Sequence, residues 1–363
     1  MDQHEFSGLD ALRGIGAGLV VLGHADWLVG VLPPHNGNIA VDFFFMLSGF
    51  VIAYAYEDKL RAGARVADLG ALRFIRFFPL YLIGTLMGLV VAAAGLGVGV
   101  LRWDWVAPAL LMLPTPPTLE KGVSLYPYNG AAWSLLFEFA INIVYFLTWR
   151  WWTMRNLTIF VVAAGAALVA ATILHGDANF GWTWRQAPGA LARVAFCFPL
   201  GVLLYRLYMA GALVDRKKPK SVGLFWITTA FLLFFIAYRP AFAPKLPWEL
   251  AGLMVAMPIG LALGVRTRPP STGGWAFAKL GAASYATYIL HIPLLLIAQA
   301  LAPRWVDGPG SALGLGLLFV ALTCVLAIVV DDYVASPMRY RMSAFYKGVV
   351  RRGAPAAAAR VES

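Results

Sequence analysis

Charged side chains are scarce in this 363-residue chain, at 13% of positions, whereas hydrophobic residues fill 60%. An ordinary soluble domain is about 25% charged and about 45–50% apolar. A soluble protein with the composition found here could not cover its core with polar surface. The mean hydropathy of +0.72 therefore excludes an ordinary soluble domain and indicates a protein whose solvent is largely lipid.

Cysteine is also sparse, because the chain contains only Cys197 and Cys324. Both lie within apolar runs, so we expect neither a disulfide nor a metal site. The start of the chain, MDQHEFSGLD, carries acids instead of the basic segment of a signal peptide, so no cleaved leader is expected. We find no internal repeat, and low complexity is confined to residues 351–363, which we expect to be disordered.

Long apolar runs recur along the whole chain, and each is long enough to cross about 30 Å of hydrocarbon. They lie at residues 9–30, 40–56, 70–99, 131–149, 156–174, 187–209, 222–238, 248–265, 279–301 and 311–333. We predict an all-α, polytopic transmembrane bundle of about ten spans. Residues 1–340 are expected to form the transmembrane domain, and residues 341–363 a basic, disordered cytoplasmic tail.

The distribution of basic residues predicts how the bundle is oriented, since Lys and Arg collect in cytoplasmic loops. With the N-terminus in the cytoplasm, 21 of the 29 Lys and Arg residues fall on the cytoplasmic side and six on the other side. Arg13 and Arg193 lie in or near spans. Both termini are therefore predicted to be cytoplasmic, and the net charge of +11 is no argument for a nucleic-acid partner.

The first predicted span contains two ionisable residues, Arg13 and His24. Burying an ionisable side chain in a bilayer costs several kcal/mol, so such residues inside a span suggest a function. The two residues lie about 16 Å apart along one helix and within about 20° of one face. A single histidine is more often structural than catalytic. The arginine on the same face favours a functional histidine here.

The second and fourth spans carry acids near their outer ends. Asp42 is either an interfacial residue or an acid that orients His24. Ser48 and Gly49 lie about two turns deeper, where small residues favour close helix packing. Glu138 is about two turns into the fourth span, with Asn142 one turn further on the same face. These two residues form a polar stripe, which favours a functional role.

The third and ninth spans add two more pairs. Arg73 and Arg76 lie one turn apart, either as a basic cytoplasmic flank or as a clamp for phosphate. Tyr288 and His291 are neighbours on one helix face. By depth, we expect the arginine pair on the cytoplasmic side, and His24, Glu138, His291 and Asp42 in the outer half.

Together, these segments resemble the acyltransferase 3 family, integral membrane enzymes that O-acylate surface glycans and some other acceptors. The resemblance covers nearly the whole chain. It rests on Arg13-x10-His24, FFFMLSGF (43–50), Arg73-x-x-Arg76, WSLLFEFAIN (133–142) and SYATYILH (284–291). It implies that His24 is the essential histidine with Arg13 as its partner. It also implies that Arg73 and Arg76 engage an acyl-CoA donor.

One segment departs from the family pattern. Many members have Glu-x-Pro after the last span, whereas this chain has Ala335 in place of the glutamate and keeps Pro337. Asp331 and Asp332 lie a turn earlier, and the sequence does not reveal whether either one substitutes for the glutamate.

The resemblance and the buried residues together predict a membrane O-acyltransferase of the bacterial inner membrane. The acyl group, expected to be acetyl, would pass from cytoplasmic acyl-CoA to a hydroxyl of a sugar or lipid-linked glycan at the outer face. His24 would act as a general base or carry the acyl group itself. No metal is expected, and membrane lipid is the expected environment. The alternative is a proton-coupled secondary transporter that uses the buried ions as a relay.

The expected roles fall into three groups. The catalytic group is His24, Arg13, Glu138 and Asp42. The donor-binding group is Arg73 and Arg76. The substrate-binding group is His291, Tyr288, Asn142 and Ser48.

Overall fold

The computed structural model describes residues 6–29, 36–96, 101–118, 122–213, 219–240, 242–301 and 309–353, and they are mainly helical. Strand-like pairing in these ranges is limited to the isolated bridges Ser124–Thr183 and Ser221–Thr267. The α-helices are α1 (Ser7–Val29), α2 (Ala40–Arg61), α3 (Val66–Ala93), α4 (Trp103–Leu110), α5 (Trp133–Thr148), α6 (Met154–His175), α7 (Ala187–Met209), α8 (Val222–Ile236), α9 (Lys245–Ala251), α10 (Met257–Gly264), α11 (Gly274–Ala282), α12 (Ser284–Leu301), α13 (Pro309–Val330) and α14 (Ser336–Gly353).

Eight helical segments of the described chain are long and apolar enough to cross a membrane. They are Gly37–Arg61, Val66–Ala93, Gly130–Trp151, Met154–His175, Trp184–Met209, Lys245–Gly264, Ser284–Leu301 and Gly310–Val349. The other two predicted spans coincide with α1, which contains Asp10 and Arg13, and with α8, a shorter apolar helix. The predicted class, a polytopic helical membrane bundle, is thus confirmed.

Three features of the helices differ from the sequence prediction. The predicted ninth span is divided at Ala283, which separates α11 from α12. The short helix α4 follows the third span and was not predicted. A π-helical turn, Asp331–Ala335, joins α13 to α14, so residues 341–353 of the predicted disordered tail are helical. Residues 354–363 lie outside the described residues, and the domain boundary at 340 stays a prediction.

The helix ends show how the spans are arranged. The ring of Phe6, just before α1, packs edge-on against Tyr54 in the second half of α2, at 5.0 Å between centroids, so these helices are antiparallel. Arg13 near the start of α1 bonds Ser284 at the start of α12, so those two helices run in the same direction. We call the end of the bundle with Arg13 the basic end and the opposite end the far end. The charge distribution predicts that the basic end is cytoplasmic.

The helices α2 and α7 cross at backbone contact. A Cβ atom on Gly49 would lie 2.0 Å from the carbonyl oxygen of Phe198, and one on Gly201 would lie 1.9 Å from that of Met46. Only glycine therefore fits at either position without a shift of the backbone. The packing role predicted for Gly49 agrees with this contact, which fixes the rotation of α2.

Candidate active site

A cavity with about 800 Å³ of empty space opens among α1, α2, α3, α5 and α12. It follows α2 from Ile52 to Val41, which is about 16 Å of helix. Half-buried side chains of α2 at Phe44, Ser48 and Val51 face it at helical spacing. Six of the predicted site residues line its wall: Arg13, Ser48, Arg73, Arg76, Glu138 and Tyr288.

Glu138 pairs with an arginine and a serine in the cavity wall. Its Oε1 accepts a hydrogen bond of 3.1 Å from Nη2 of Arg73 and one of 2.8 Å from Oγ of Ser48. The buried guanidinium of Arg73 also lies 4.6 Å from the ring of Phe77. We predicted Glu138 near the histidines in the outer half, whereas its hydrogen bonds are to Arg73 and Ser48; its depth in the membrane stays a prediction. The pairing with Arg73 was missed because the two residues lie 65 positions apart.

Arg13 binds the break between α11 and α12. Its Nε donates to Oγ of Ser284 at 2.8 Å, and its Nη2 donates to the carbonyl oxygen of Gly281 at 2.7 Å. Nη2 also lies 3.1 Å from the carboxylate of Asp10. A carbonyl at a helix C-terminus is a natural acceptor for arginine. Arg13 therefore fixes the start of α12 to α1, while its role as the partner of His24 stays a prediction.

Arg76 also lines the cavity, and it differs from Arg13 and Arg73 because it is exposed. Within the described part of the chain, no carboxylate is recorded as its partner. The cavity wall thus contains the guanidiniums of Arg13, Arg73 and Arg76 against the single carboxylate of Glu138. Because Asp10 also pairs with Arg13, an excess of one positive charge remains, at Arg76.

The deep part of the cavity is neutral. The hydroxyl of Tyr288 lies 2.8 Å from Oγ of Ser134, and either group is able to donate this hydrogen bond. The ring of Phe44 meets the ring of Tyr288 edge-on, with 6.1 Å between centroids. Leu135 and Val41 complete an apolar surface there.

Two histidines lie directly beyond this deep part. The rings of His24 and His291 have centroids 4.9 Å apart, and the ring of His291 lies 5.7 Å from that of Tyr288. Nδ1 of His24 lies 2.9 Å from the carbonyl oxygen of Val20, and Nδ1 of His291 lies 2.5 Å from that of Tyr288. A carbonyl only accepts hydrogen bonds, so we assign the proton of each neutral ring to Nδ1 and the lone pair to Nε2. Both rings therefore have a basic nitrogen turned away from their own helix backbone.

Asp42 has a partner that the sequence reasoning missed. Its two carboxylate oxygens accept hydrogen bonds of 2.9 and 2.8 Å from Nε and Nη2 of Arg193, and both side chains are buried. Arg193 also donates to the carbonyl oxygens of Phe180 and Asn38. A buried arginine inside a span requires a counter-ion, which was the available signal. We therefore interpret Asp42 as structural and do not retain its predicted role toward His24.

Asn142 is buried in α5 and does not line the cavity. Neither atom of its amide has a hydrogen-bond partner among the residues that the structure describes. Its predicted contact with substrate stays a prediction. In the same residues, no group of three or more His, Cys, Asp or Glu side chains is placed to hold a metal ion.

The fold and the site define a membrane-embedded helical bundle with a cationic cavity that leads to a histidine pair. The chain belongs to the acyltransferase 3 family, whose sequence model, described as an acyltransferase domain, matches residues 6–330. The predicted family is thereby confirmed, as is the prediction that the protein is an enzyme, a membrane acyltransferase. The transporter alternative is set aside.

Two relatives illustrate the match. Acyltransferase MdmB of Streptomyces mycarofaciens is 27% identical over 327 residues, which cover 82% of this chain and 80% of that protein. Protein 2 in picA locus of Rhizobium radiobacter is 33% identical over 179 residues, which cover 44% of this chain and 91% of that protein. No solved structure matches the chain significantly.

Proposed function

We propose that this acyltransferase moves an acyl group, expected to be acetyl, from cytoplasmic acyl-CoA to a hydroxyl of a sugar or lipid-linked glycan at the outer face of the bacterial inner membrane. The observation that carries the proposal is the exposed guanidinium of Arg76 on the cavity wall. Among the described residues it has no carboxylate partner, since Asp10 pairs with Arg13 and Glu138 with Arg73. Uncompensated charge among membrane helices is costly and marks a functional site. An anionic ligand such as the phosphates of CoA would neutralise it.

The basic end is suited to bind the donor. Arg76 is exposed and can offer its planar fork of N–H donors to phosphate oxygens. Arg73 is turned toward Glu138 and contributes mainly through its position and charge. With the basic end in the cytoplasm, as the loop charges predict, the donor enters from the compartment in which acyl-CoA is made. Its thioester arm then extends along α2 toward the deep part of the cavity.

The deep part provides the groups that acyl transfer requires. Ser134 has two acceptors in reach, the hydroxyl of Tyr288 at 2.8 Å and the carbonyl oxygen of Ala131 at 3.4 Å. When Ser134 donates to Tyr288, the hydroxyl hydrogen of Tyr288 is able to bind the thioester oxygen and stabilise the charge that develops on it. His24 uses Nε2 as a general base to remove the proton from the acceptor hydroxyl. The new O–C bond forms, the C–S bond breaks, and the proton passes from His24 to the CoA thiolate. The acceptor reaches His24 from the far end, because His24 does not line the donor cavity.

The first experiment measures CoA binding to detergent-solubilised protein by titration calorimetry. We expect the wild-type protein to bind CoA and the Arg76→Ala variant to bind it about 10- to 100-fold more weakly. This loss of affinity is the usual result of removing hydrogen bonds to a charged group. Arg155→Ala is the matched control, since Arg155 is an exposed arginine at the start of α6 that lies outside the cavity wall. Equal binding by all three proteins would contradict the donor site. The acceptor is then sought as a mass shift in glycans and lipids from cells with and without the gene.

A further inference from the structure

The deep part of the cavity is bordered by an aromatic side chain that the sequence did not single out. Phe44 is the middle residue of the Phe43–Phe45 run on α2, and it is half-buried, whereas its two neighbours are each 1% exposed. Its ring borders the cavity and meets Tyr288 edge-on. The Phe44 ring therefore borders the space that we assign to the donor.

The position of this ring depends on a glycine of α1. A Cβ atom on Gly16 would lie 3.1 and 3.3 Å from Cε1 and Cζ of Phe44, which is closer than an ordinary van der Waals contact. The tip of the ring thus rests on the bare backbone of α1. A methyl group at position 16 would push the ring away from α1.

We infer that Phe44 determines the length of the acyl group that the enzyme accepts. The inference rests on the proposed function, which places the phosphates near Arg76 and the thioester oxygen near the Tyr288–Ser134 pair. The alkyl part of the acyl group then has to occupy the apolar space beside Tyr288. That space is bounded by Phe44, Val41 and Leu135, so the ring of Phe44 limits its depth.

The test compares the affinities of acetyl-CoA and butyryl-CoA for detergent-solubilised protein, and it needs no knowledge of the acceptor. The CoA part is common to both ligands, so the ratio of dissociation constants reports the acyl pocket alone. Each methylene transferred from water is worth about fourfold in affinity. Phe44→Ala is therefore expected to shift the ratio about tenfold in favour of butyryl-CoA. Phe44→Leu, with a side chain of intermediate volume, is expected to give a smaller shift in the same direction.

Two further variants separate this effect from general loosening of the fold. Gly16→Ala pushes the Phe44 ring toward the cavity and is expected to shift the ratio several-fold toward acetyl-CoA. Phe43→Ala removes an adjacent buried ring that borders a different, small apolar pocket, and it should leave the ratio unchanged.

Opposite shifts for Phe44→Ala and Gly16→Ala support the inference. An unchanged ratio in both, or an equal shift in Phe43→Ala, overturns it while CoA binding by the wild-type protein still supports the donor site. Failure of the wild-type protein to bind CoA and both thioesters would overturn the proposed function itself.

Discussion

The two ends of the cavity differ in charge and in chemistry. Near the basic end, the wall contains three arginines, of which Arg13 pairs with Asp10 and Arg73 with Glu138, while Arg76 is exposed. Near the far end, the wall is made of the neutral hydroxyls of Tyr288 and Ser134 and of apolar side chains, with the His24–His291 pair just beyond. The two ends are therefore suited to different tasks. The positive charge of the basic end attracts an anionic donor, whereas the neutral, desolvated far end favours proton transfer by an imidazole.

The same two helices connect both ends. At the basic end α1 contacts α12 through Arg13 and Ser284, and further along the same helices His24 contacts His291. The distance between the donor-binding end and the histidine pair is thus set by two parallel helices in direct contact. Rigid secondary elements hold reacting groups more accurately than loops do.

The largest expected effect comes from His24→Ala. Loss of a general base typically lowers a rate by about 100- to 10,000-fold, so acylation of the native acceptor should fall to the detection limit. CoA affinity should stay the same, because the arginines of the basic end are untouched. The measurements are product mass shift in cells and CoA titration on purified protein.

His175→Ala is the control for this variant, since His175 lies at the end of α6 and bonds Asp177 and Gln186 outside the cavity. It should acylate as the wild type does. Near-normal transfer by His24→Ala would exclude His24 as the general base. A loss of CoA binding in the same variant would show that the two ends of the cavity are not independent.

The second prediction concerns Asp42, which lies near the far end but takes part neither in donor binding nor in proton transfer. Asp42→Asn leaves the buried guanidinium of Arg193 without its counter-ion, and breaking such a pair costs about 3–5 kcal/mol of stability. Unfolding in detergent should shift accordingly, whereas the activity per folded molecule should stay close to normal. Asp104→Asn is the control, because its pair with Arg102 is exposed and screened by solvent, so its loss should change stability little. If Asp42→Asn were inactive but fully stable, Asp42 would have a catalytic role and the structural interpretation would be wrong.

The helices were largely predictable, while the pairings among their side chains were not. Hydropathy and span length locate the membrane helices, since every backbone polar group in lipid has to be satisfied within a helix. The break at Ala283 was not predicted, because apolar residues continue on both sides of it. It is marked in the structure by the hydrogen bonds from Arg13 to Gly281 and Ser284.

Six of the predicted site residues line one cavity, but the contacts among them depend on how distant helices cross. Spacing along one helix placed Tyr288 beside His291, and their rings are neighbours. The pairs Arg73–Glu138 and Asp42–Arg193 join separate helices, so only the packed structure reveals them. In the sequence, Phe44 is one of three consecutive phenylalanines in an apolar run. It differs from Phe43 and Phe45 only in burial, which depends on how α2 packs against α7.

The smallest expected effect is that of Glu138→Gln, which removes the charge of the carboxylate but keeps one oxygen able to accept hydrogen bonds. The glutamine oxygen can still accept from Ser48 and Arg73, while the excess positive charge of the wall rises by one. A unit charge about 10 Å from a phosphate contributes roughly 0.4–1.7 kcal/mol at an effective dielectric constant of about 20–80. CoA should therefore bind about two- to 20-fold more tightly at low salt, and the gain should shrink as salt is added.

Asp68→Asn removes the same charge from the start of α3, where the carboxylate bonds Tyr346 and lies outside the cavity wall. Solvent screens this site, so CoA affinity should change little. If Glu138→Gln instead weakens CoA binding at every salt concentration, the carboxylate acts by holding Arg73 in place. The basic end would then bind its donor through a fixed constellation of arginines rather than through its net charge.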